Sequence, residues 1–435
     1  MPDHGSSTRV LRWPDLVGGV LTVTPESPED LEAYLTAGGY RLPDEQPTPA
    51  LLRQHLEAIP AVTALRGRGG AGFPLWTKME TVLDEAAASG QTPVVVANGA
   101  EGEPLSVKDR YLMRYRPHLI LNGAALAARA LGAKTIHVYA HDQESLDALK
   151  TAADDLVAMG VPVPKVQIHA AQDTFVAGEA TAAVRAINTK VARPLDHPPR
   201  MAKSGVGGAP TLVSNVETLA RLARATMPDA AEEQSPLLVT LSGDGVSPTL
   251  IEVPYGLPVL TLLASPEVDA AGAGSVLAGG FFGGVVPISY DLGLSLESRA
   301  EHGGALGCAS LYLIGEGTDP ITVASAVADY FDGNNARQCR SCVLSTEDTA
   351  LALRGIGATP DVLLSRLTRW SAQIVGRGAC AVPDGVALLL RSLLRHYPEQ
   401  LKAHLAAPPP TRLDWAGLTV EVPSARVLTT TGGVL

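Results

Sequence analysis

The sequence predicts an α/β protein in which a doubly wound parallel sheet is followed by a small α+β domain and a helical bundle. Three observations predict this order. Strand-like runs alternate with helical patterns over residues 92–171, two further strand-like runs flank a Gly/Pro/Asp turn within 237–256, and helical periodicity dominates from about residue 320. A chain of 435 residues, 46% of them hydrophobic, is long enough for several such domains.

The first domain is predicted from its strand pattern. The runs TPVVVAN (92–98), TIHVYAH (135–141) and KVQIHAA (165–171) have the length and β-branched content of buried strands. Helical spacing of apolar residues fills both intervals, and strands that alternate with helices pair in parallel through right-handed crossovers. Such sheets bind ligands beyond the carboxyl ends of their strands, where the loop after Asn98 is expected.

The predicted domain boundaries follow these changes of pattern. Residues 51–225 form the α/β domain, 236–300 the small α+β domain and 315–405 the helical bundle. Residues 1–50 are predicted to be an N-terminal extension, and residues 406–435 a C-terminal tail.

Charge and hydropathy exclude several classes of partner. A net charge of −11 disfavours binding to nucleic acid, because nothing offsets repulsion from phosphates. No apolar run is long enough to span a bilayer, and the first residues lack the apolar core of a signal peptide. We therefore expect a cytoplasmic protein that reaches a membrane, if at all, only through a partner.

The stretch RGRGGAGFP (66–74) concentrates four glycines in nine residues. A glycine-rich turn exposes backbone N–H groups to an anion and lets a phosphate approach. Alone, this stretch leaves phosphate binding and an ordinary tight turn equally open. Lys78 shortly after it, the loop NGAEGEP (98–104) and the pair Gly178-Glu179 at a predicted helix start favour phosphate binding.

Four motifs, in this order, resemble the NADH-binding flavoprotein subunit of respiratory complex I and related subunits of NAD-reducing hydrogenases and formate dehydrogenases. They are RGRGGAGFP with Lys78, NGAEGEPLSVKDR (98–110), FVAGEATA (175–182) and GAPTLVSNVETLA (208–220). The resemblance runs from about residue 60 to 405. It implies a Rossmann-like FMN-binding domain, a soluble-ligand-binding β-grasp domain and a helical iron–sulfur domain.

The resemblance also implies individual site residues. Those it assigns to the cofactor are Gly67, Arg68, Gly69, Gly70, Ala71, Gly72, Phe73, Lys78, Asn98, Gly178, Glu179 and Asn215. Glu101 and Glu103 match acids that shape the electron-donor pocket and are the predicted catalytic residues; the alternative is a pair of solvated loop carboxylates. For Asn215 the alternative is capping of the following helix.

The cysteines match the family pattern with one exception. The family carries Cys-x-x-Cys-x-x-Cys and a distant fourth cysteine around a 4Fe–4S cluster; Cys339, Cys342 and Cys380 match, but the third position is Ser345. Three interpretations stay open: a 3Fe–4S cluster, a 4Fe–4S cluster completed by Ser345 or an outside ligand, and loss of the cluster. The sequence STED that begins at Ser345 also predicts a helix-opening capping box. Cys308 is predicted to be a buried core thiol.

The sequence also departs from the family at positions that, in the family, lie near the bound nucleotide. Ala100 and Ala180 replace acids, while His197 and Arg200 stand where the family has a Lys and a Phe. The basic stretch 193–203 fits either the 2′-phosphate of NADPH or a solvated loop. NADH, NADPH and neither nucleotide therefore stay open as donors.

The predicted function is a flavin-dependent electron-transfer oxidoreductase. Electrons would pass from NAD(P)H through FMN to an iron–sulfur cluster and then to a ferredoxin-like or other redox subunit. One alternative is an FMN/iron–sulfur relay that exchanges electrons with a ferredoxin or membrane reductase and binds no nucleotide. The other is a non-catalytic assembly subunit that kept the fold and lost the cofactors.

Overall fold

The fold is described from a computed structural model. It covers residues 8–14, 16, 19–21, 28–43, 47–196, 199–228, 230, 236–268, 270, 272–409, 413, 420–422 and 427–429. Within these ranges there are eleven strands: β1 (Arg9–Arg12), β2 (Val94–Asn98), β3 (Thr135–Ala140), β4 (Lys165–Ala170), β5 (Thr211–Asn215), β6 (Leu237–Gly243), β7 (Thr249–Val253), β8 (Ala273–Ala278), β9 (Gly284–Pro287), β10 (Ser310–Gly315) and β11 (Val427–Thr429).

The same ranges contain sixteen α-helices. They are α1 (Leu31–Thr36), α2 (Pro49–Glu57), α3 (Pro60–Thr63), α4 (Leu75–Ser89), α5 (Lys108–Tyr115), α6 (Pro117–Leu131), α7 (Gln143–Ala158), α8 (Ala180–Thr189), α9 (Val216–Ala225), α10 (Val259–Leu263), α11 (Leu296–Glu301), α12 (Pro320–Asn334), α13 (Arg340–Leu353), α14 (Pro360–Gln373), α15 (Val382–His396) and α16 (Pro398–Ala406). In the described part of the chain, no helix has the length and apolar character required to cross a bilayer.

A four-stranded parallel sheet forms the first layer, in the order β4-β3-β2-β5. The three predicted strands and the helices between them are confirmed, whereas β5 lies inside a motif that the sequence did not identify as a strand. Helix α6 packs against α9 so closely that a Cβ on Gly123 would lie 1.8 Å from the carbonyl oxygen of Leu219. The glycine permits this helix contact, which covers the sheet beside β5.

A seven-stranded mixed sheet forms the second layer, in the order β11-β1-β7-β6-β10-β8-β9. The predicted pair β6 and β7 is antiparallel, while β10 joins β6 in parallel from a later part of the chain. Strands β1 and β11, from the two terminal segments, add in parallel to the β7 edge. This sheet therefore needs chain from well outside residues 236–300.

Helices α12–α16 pack on one another and form the predicted helical part of the chain. Helix α15 also contacts β9 of the seven-stranded sheet, where Ser392 Oγ accepts a hydrogen bond of 3.0 Å from the backbone N–H of Val285. The helical part is thus joined directly to the second layer.

A chain of buried ion pairs connects the two sheets. Lys108 Nζ lies 3.1 Å from Glu217 Oε2, and Arg221 pairs with Glu217 at 2.8 Å and with Glu252 on β7 at 3.2 Å. The Glu252 carboxylate also accepts hydrogen bonds from the backbone N–H groups of Val20 and Leu21. These four charged side chains are at most 2% exposed, so each depends on its partners.

Replacing Arg221 by leucine is expected to destabilise the protein by about 3–5 kcal/mol, because the buried Glu252 carboxylate would lose its ion pair with Arg221. The measurement is chemical unfolding followed by circular dichroism. The control is Lys150→Ala, which removes an ion pair with Asp154 whose side chains are about 70% exposed and is expected to change stability by at most about 0.5 kcal/mol. Equal effects of the two substitutions would contradict the role given to Arg221.

Candidate functional site

A cavity of about 590 Å³ lies beyond the carboxyl ends of β2 and β5, and all three parts of the chain line it. Every residue predicted to contact the cofactor lines it, and so do both predicted catalytic acids. Of the predicted metal ligands, Cys380 lines it as well. The fold thus brings the four motifs, which are spread over more than 150 residues, to one surface.

The glycine-rich stretch is a closed turn that forms one wall of this cavity. Arg66 and Pro74 form a bridge at its base, and the N–H of Gly67 donates to the carbonyl of Phe73 at 2.9 Å. Gly70 has φ +110°, a backbone conformation that side chains disfavour, and pairs with Gly307 beside the second sheet. The turn therefore has a fixed shape and leaves glycine backbone open to the cavity.

Arg68 directs its charge away from the centre of the turn. Its backbone N–H donates to Thr218 Oγ1 at 2.9 Å, and its guanidinium donates to the carbonyl of Pro236 at 3.2 Å and lies 5.9 Å from the ring centre of Tyr255. Burial lowers the pKa of Arg68 to about 10. Arg68 thus connects the turn to the second sheet, in addition to lining the cavity.

Lys78, on α4, is a cationic residue of the cavity wall. Its Nζ donates to the carbonyl of Val213 at 3.4 Å, and burial lowers its pKa. No acidic side chain contributes to that shift. A partly buried ammonium with one long hydrogen bond to a neutral acceptor suits an anionic ligand.

Asn98 and Glu179 connect the strand-end loop to the helix that starts after Gly178. Asn98 Nδ2 donates to the carbonyl of Gly178 at 2.8 Å, and a Cβ on Gly178 would lie 2.3 Å from the carbonyl oxygen of Ala100. The Glu179 carboxylate caps α8 by accepting from the N–H groups of Thr181 and Ala182 at 2.9 and 3.0 Å. The predicted helix start at Glu179 is confirmed.

Glu101 is buried and uses its carboxylate to hold its own loop. It accepts hydrogen bonds from the Ser106 hydroxyl, from the N–H groups of Asp109 and Arg110 at 3.2 and 3.1 Å, and from Arg110 Nε at 3.3 Å. The alternative of a solvated loop carboxylate is therefore wrong for Glu101. These bonds fix the first turn of α5 beside the cavity.

Glu103 is only partly buried, and it has fewer partners than Glu101. Its carboxylate accepts from the N–H of Phe281 at 2.9 Å and from that of Leu105 at 3.4 Å. Burial raises its pKa to about 7, despite these two bonds. A carboxyl group at the cavity wall can therefore hold or release a proton near neutral pH.

Cys308 lies beside Glu103 and lines the cavity instead of packing in the core as predicted. Its Sγ is 3.2 Å from Ser310 Oγ, and a Cβ on Gly280 would lie 2.6 Å from Glu103 Oε2 and 3.1 Å from Cys308 Sγ. Burial, followed by the Glu103 carboxylate, raises the thiol pKa to about 12. The thiol therefore stays protonated at neutral pH.

Lys108 and Asp109 line the cavity but were not singled out from the sequence. Their side chains are 2.7 Å apart, and Asp109 Oδ2 accepts from Asn215 Nδ2 at 2.6 Å. Asn215 Oδ1 also accepts from the N–H of Glu217, so Asn215 both caps α9 and lines the cavity. The sequence contained a signal for both residues, because Lys108 and Asp109 belong to the motif NGAEGEPLSVKDR (98–110).

The three described residues of the basic stretch are not part of the cavity wall. Arg193, Arg200 and Lys203 are exposed and do not line it, and His197 falls outside the described residues. Ala100 and Ala180, the two replaced acids, do line it. The described geometry favours the solvated-loop interpretation of the basic residues.

The three cysteines matched to the cluster motif lie close together. Burial raises the pKa of Cys342 to about 12, and the neighbouring thiols of Cys339 and Cys380 raise it further. Among the described residues, no three His, Cys, Asp or Glu side chains are placed to hold a single metal ion. An iron–sulfur cluster contains several irons, so its thiolates bind different atoms and need not converge on one point.

Ser345 does not open a helix, so the predicted capping box is wrong. Helix α13 already begins at Arg340, with Cys339 as its N-terminal flanking residue, and Ser345 lies more than one turn inside it. Ser345 is 6% exposed, and its hydroxyl donates to the carbonyl of Cys342 at 3.4 Å. The capping box was expected because a helix start at Cys339 has no sequence signal of its own.

Comparison with protein families identifies the two regions that carry these residues. Residues 61–224 match the Nuo51 FMN-binding domain, and residues 322–404 match the NADH-ubiquinone oxidoreductase-F iron–sulfur binding region. Together these matches cover more than half of the chain. The chain belongs to the family of complex I flavoprotein subunits. The first match contains the glycine-rich turn and both predicted acids, and the second contains Cys339, Cys342 and Cys380.

Individual relatives support the family over most of the chain. It is 29% identical to an NADH-quinone oxidoreductase subunit of Rhizobium meliloti, covering 91% of this chain and 97% of the relative. It is 28% identical to the mitochondrial NADH dehydrogenase [ubiquinone] flavoprotein 1 of Dictyostelium discoideum, covering 78% and 76%. The crystal structure of an H₂-reduced NAD⁺-reducing [NiFe]-hydrogenase matches with a TM-score of 0.72 and 25% identity, over 89% of this chain and 68% of that one.

The cavity suits the FMN that the family implies. Its wall offers glycine backbone at a positive φ, a partly buried ammonium that pairs with no carboxylate among the described residues, and both apolar and polar side chains. These are the features that a phosphate and a flat ring system require. For the cluster, the thiols of Cys339, Cys342 and Cys380 are soft ligands suited to iron–sulfur chemistry.

Replacing Glu103 by glutamine is expected to raise the melting temperature relative to wild type more at pH 8 than at pH 5. An ordinary glutamate, with a pKa of 4.5, ionises in the unfolded chain, while desolvation at the cavity wall lets Glu103 keep its proton up to about pH 7. This group therefore costs native stability as the pH rises through that window, and glutamine removes the cost. The measurement is thermal unfolding at the two pH values.

The control is Glu80→Gln, at an exposed glutamate, which is expected to change the melting temperature by the same amount at both pH values. A Glu103→Gln effect of the same size at pH 5 and pH 8 would contradict a raised pKa.

Proposed function

We propose that this chain is an NADH dehydrogenase flavoprotein subunit that passes electrons from NADH through FMN to an iron–sulfur cluster. The observation that carries the proposal is one cavity lined both by the glycine-rich turn and by Cys380. Bound FMN accepts a hydride and releases electrons one at a time, and the protein supplies its position and electrostatic surroundings. A cavity shared by the flavin motifs and a cluster ligand keeps the two redox groups near each other.

Different residues of the cavity wall would bind different parts of the cofactor and the nucleotide. The glycine backbone of 67–72 and the Lys78 ammonium would hold the FMN phosphate, and Asn98 and Asn215 would fix the cofactor at the strand ends. Phe73, which is 46% exposed beside the cavity, offers an aromatic face to the incoming nucleotide. These roles rest on the positions of the side chains around the cavity.

The two acids have different proposed roles. Glu101 is a positioning residue, since its carboxylate is occupied by Ser106 and the first turn of α5. Glu103 holds a proton at its carboxyl oxygen, and its pKa of about 7 places that proton in exchange at neutral pH. We propose that Glu103, when protonated, adds no negative charge to the part of the cavity wall where the dinucleotide binds.

We also propose the domain division expected from the sequence, with an FMN-binding α/β domain at 51–225, a β-grasp domain at 236–300 and an iron–sulfur-binding domain at 315–405. The sheet of the β-grasp domain is completed by β1, β10 and β11 from outside 236–300. The Rhizobium relative is named as one subunit of a larger enzyme, which supports redox partner subunits for this chain. The partner's identity and a cytoplasmic location stay predictions.

The test is an anaerobic titration of the reconstituted full chain with NADH and, separately, with NADPH. We expect NADH to bleach the flavin absorbance and then to change the spectrum of the cluster. NADPH is expected to act more slowly, because Arg193, Arg200 and Lys203 are exposed and do not line the cavity. Protein that dithionite reduces but neither nucleotide reduces would contradict the proposal and support the relay; colourless protein after reconstitution would support an assembly subunit.

Replacing Lys78 by methionine is expected to weaken FMN binding roughly tenfold or more and riboflavin binding little, because only FMN carries the phosphate. The measurement is quenching of flavin fluorescence on titration with apoprotein. Lys134→Met, at an exposed lysine before β3, is the control and should leave both affinities unchanged. An equal loss for FMN and riboflavin would show that Lys78 does not contact the phosphate.

A further inference from the structure

The cluster site is short of one thiolate. A 4Fe–4S cluster is usually held by four cysteines, and the whole chain has four cysteines, of which Cys339, Cys342 and Cys380 lie together. Cys308 lies elsewhere, beside Glu103 and Ser310 at the cavity wall. Three thiolates are therefore available to a cluster whose irons number up to four.

The position that would complete the set is Ser345. Cys339, Cys342 and Ser345 follow one another at intervals of three, with the last two inside α13, so all three lie on one side of this helix. The Ser345 hydroxyl is buried, and its proton is directed to the carbonyl oxygen of Cys342, 3.4 Å away. Iron ligation would require Ser345 to lose that proton and turn from its own helix.

Nearby carboxylates do not replace the missing thiolate. Glu179 and Asp384 are the acids that influence the pKa of Cys380. The Glu179 carboxylate caps α8, and Asp384 Oδ1 accepts from the backbone N–H of Gly376 at 2.6 Å. Each of these acids thus has a carboxylate oxygen engaged by backbone N–H groups.

We infer that three cysteines hold the cluster of this chain and that one iron has no protein ligand, with Ser345 remaining hydrogen-bonded to its helix. This inference rests on the proposed function. The open iron would bind a small outside donor such as water, hydroxide or a low-molecular-weight thiol. It would also be the iron lost on oxidation: [4Fe–4S]²⁺ gives [3Fe–4S]⁺, one Fe²⁺ and one electron, which an added oxidant accepts.

The experiment compares wild type, Ser345→Ala and Ser345→Cys as full chains reconstituted anaerobically with FMN, iron and sulfide. Each is treated with ferricyanide and desalted, iron per chain is measured before and after, and EPR spectra are recorded. Wild type and Ser345→Ala are expected to lose about one iron in four and to gain the signal of an oxidised three-iron cluster. Ser345→Cys is expected to keep its iron and to remain EPR-silent when oxidised.

Three results would overturn the inference. Wild type could retain its iron as Ser345→Cys does, Ser345→Ala could lose iron when wild type does not, or wild type could hold no cluster at all. The second would make Ser345 a ligand. Adding NADH to the same samples separates this inference from the proposed function, since bleaching of FMN tests the nucleotide step whatever the iron content.

Discussion

The buried ion pairs that run from Lys108 through Glu217 and Arg221 to Glu252 are the interaction on which the site depends. Glu252 lies on the second sheet, Arg221 and Glu217 on α9, and Lys108 at the start of α5 next to the cavity. Charges buried this deeply are tolerated only when each has its partner in place. The network therefore fixes the second sheet against the first, and the cavity lies at their junction.

The cavity walls follow from that arrangement. The glycine-rich turn pairs through Gly70 with Gly307 near the second sheet, and Arg68 reaches from the turn to Pro236. Glu103 crosses the same junction to accept a hydrogen bond from Phe281. Because one wall of the cavity is contributed by each sheet, the backbone of the turn is held in shape by residues far away in the chain, before any cofactor binds.

The same junction gives Glu101 and Glu103, the two acids of the loop NGAEGEP, different surroundings. Glu101 has both oxygens bonded to the start of α5, whereas Glu103 faces the second sheet with two backbone donors. Desolvation without a cation raises the pKa of Glu103 to about 7. Two carboxylates separated by one glycine thus serve different purposes, one holding the loop and one carrying a proton at the cavity.

The sequence alone determined what depends on local pattern and on ordered motifs: three strands of the parallel sheet, the helices between them, the flavin motifs and the three cysteines. Tertiary structure decided what depends on distant partners. Strands β1 and β11 join the second sheet from opposite ends of the chain, Lys108 and Asp109 enter the cavity wall, and Cys308 lies beside Glu103. Helix α13 begins before Ser345, so that residue lies inside the helix. The physical reason is that periodicity and capping report neighbours along the chain, whereas pairing, burial and pKa are set by residues that only folding brings together.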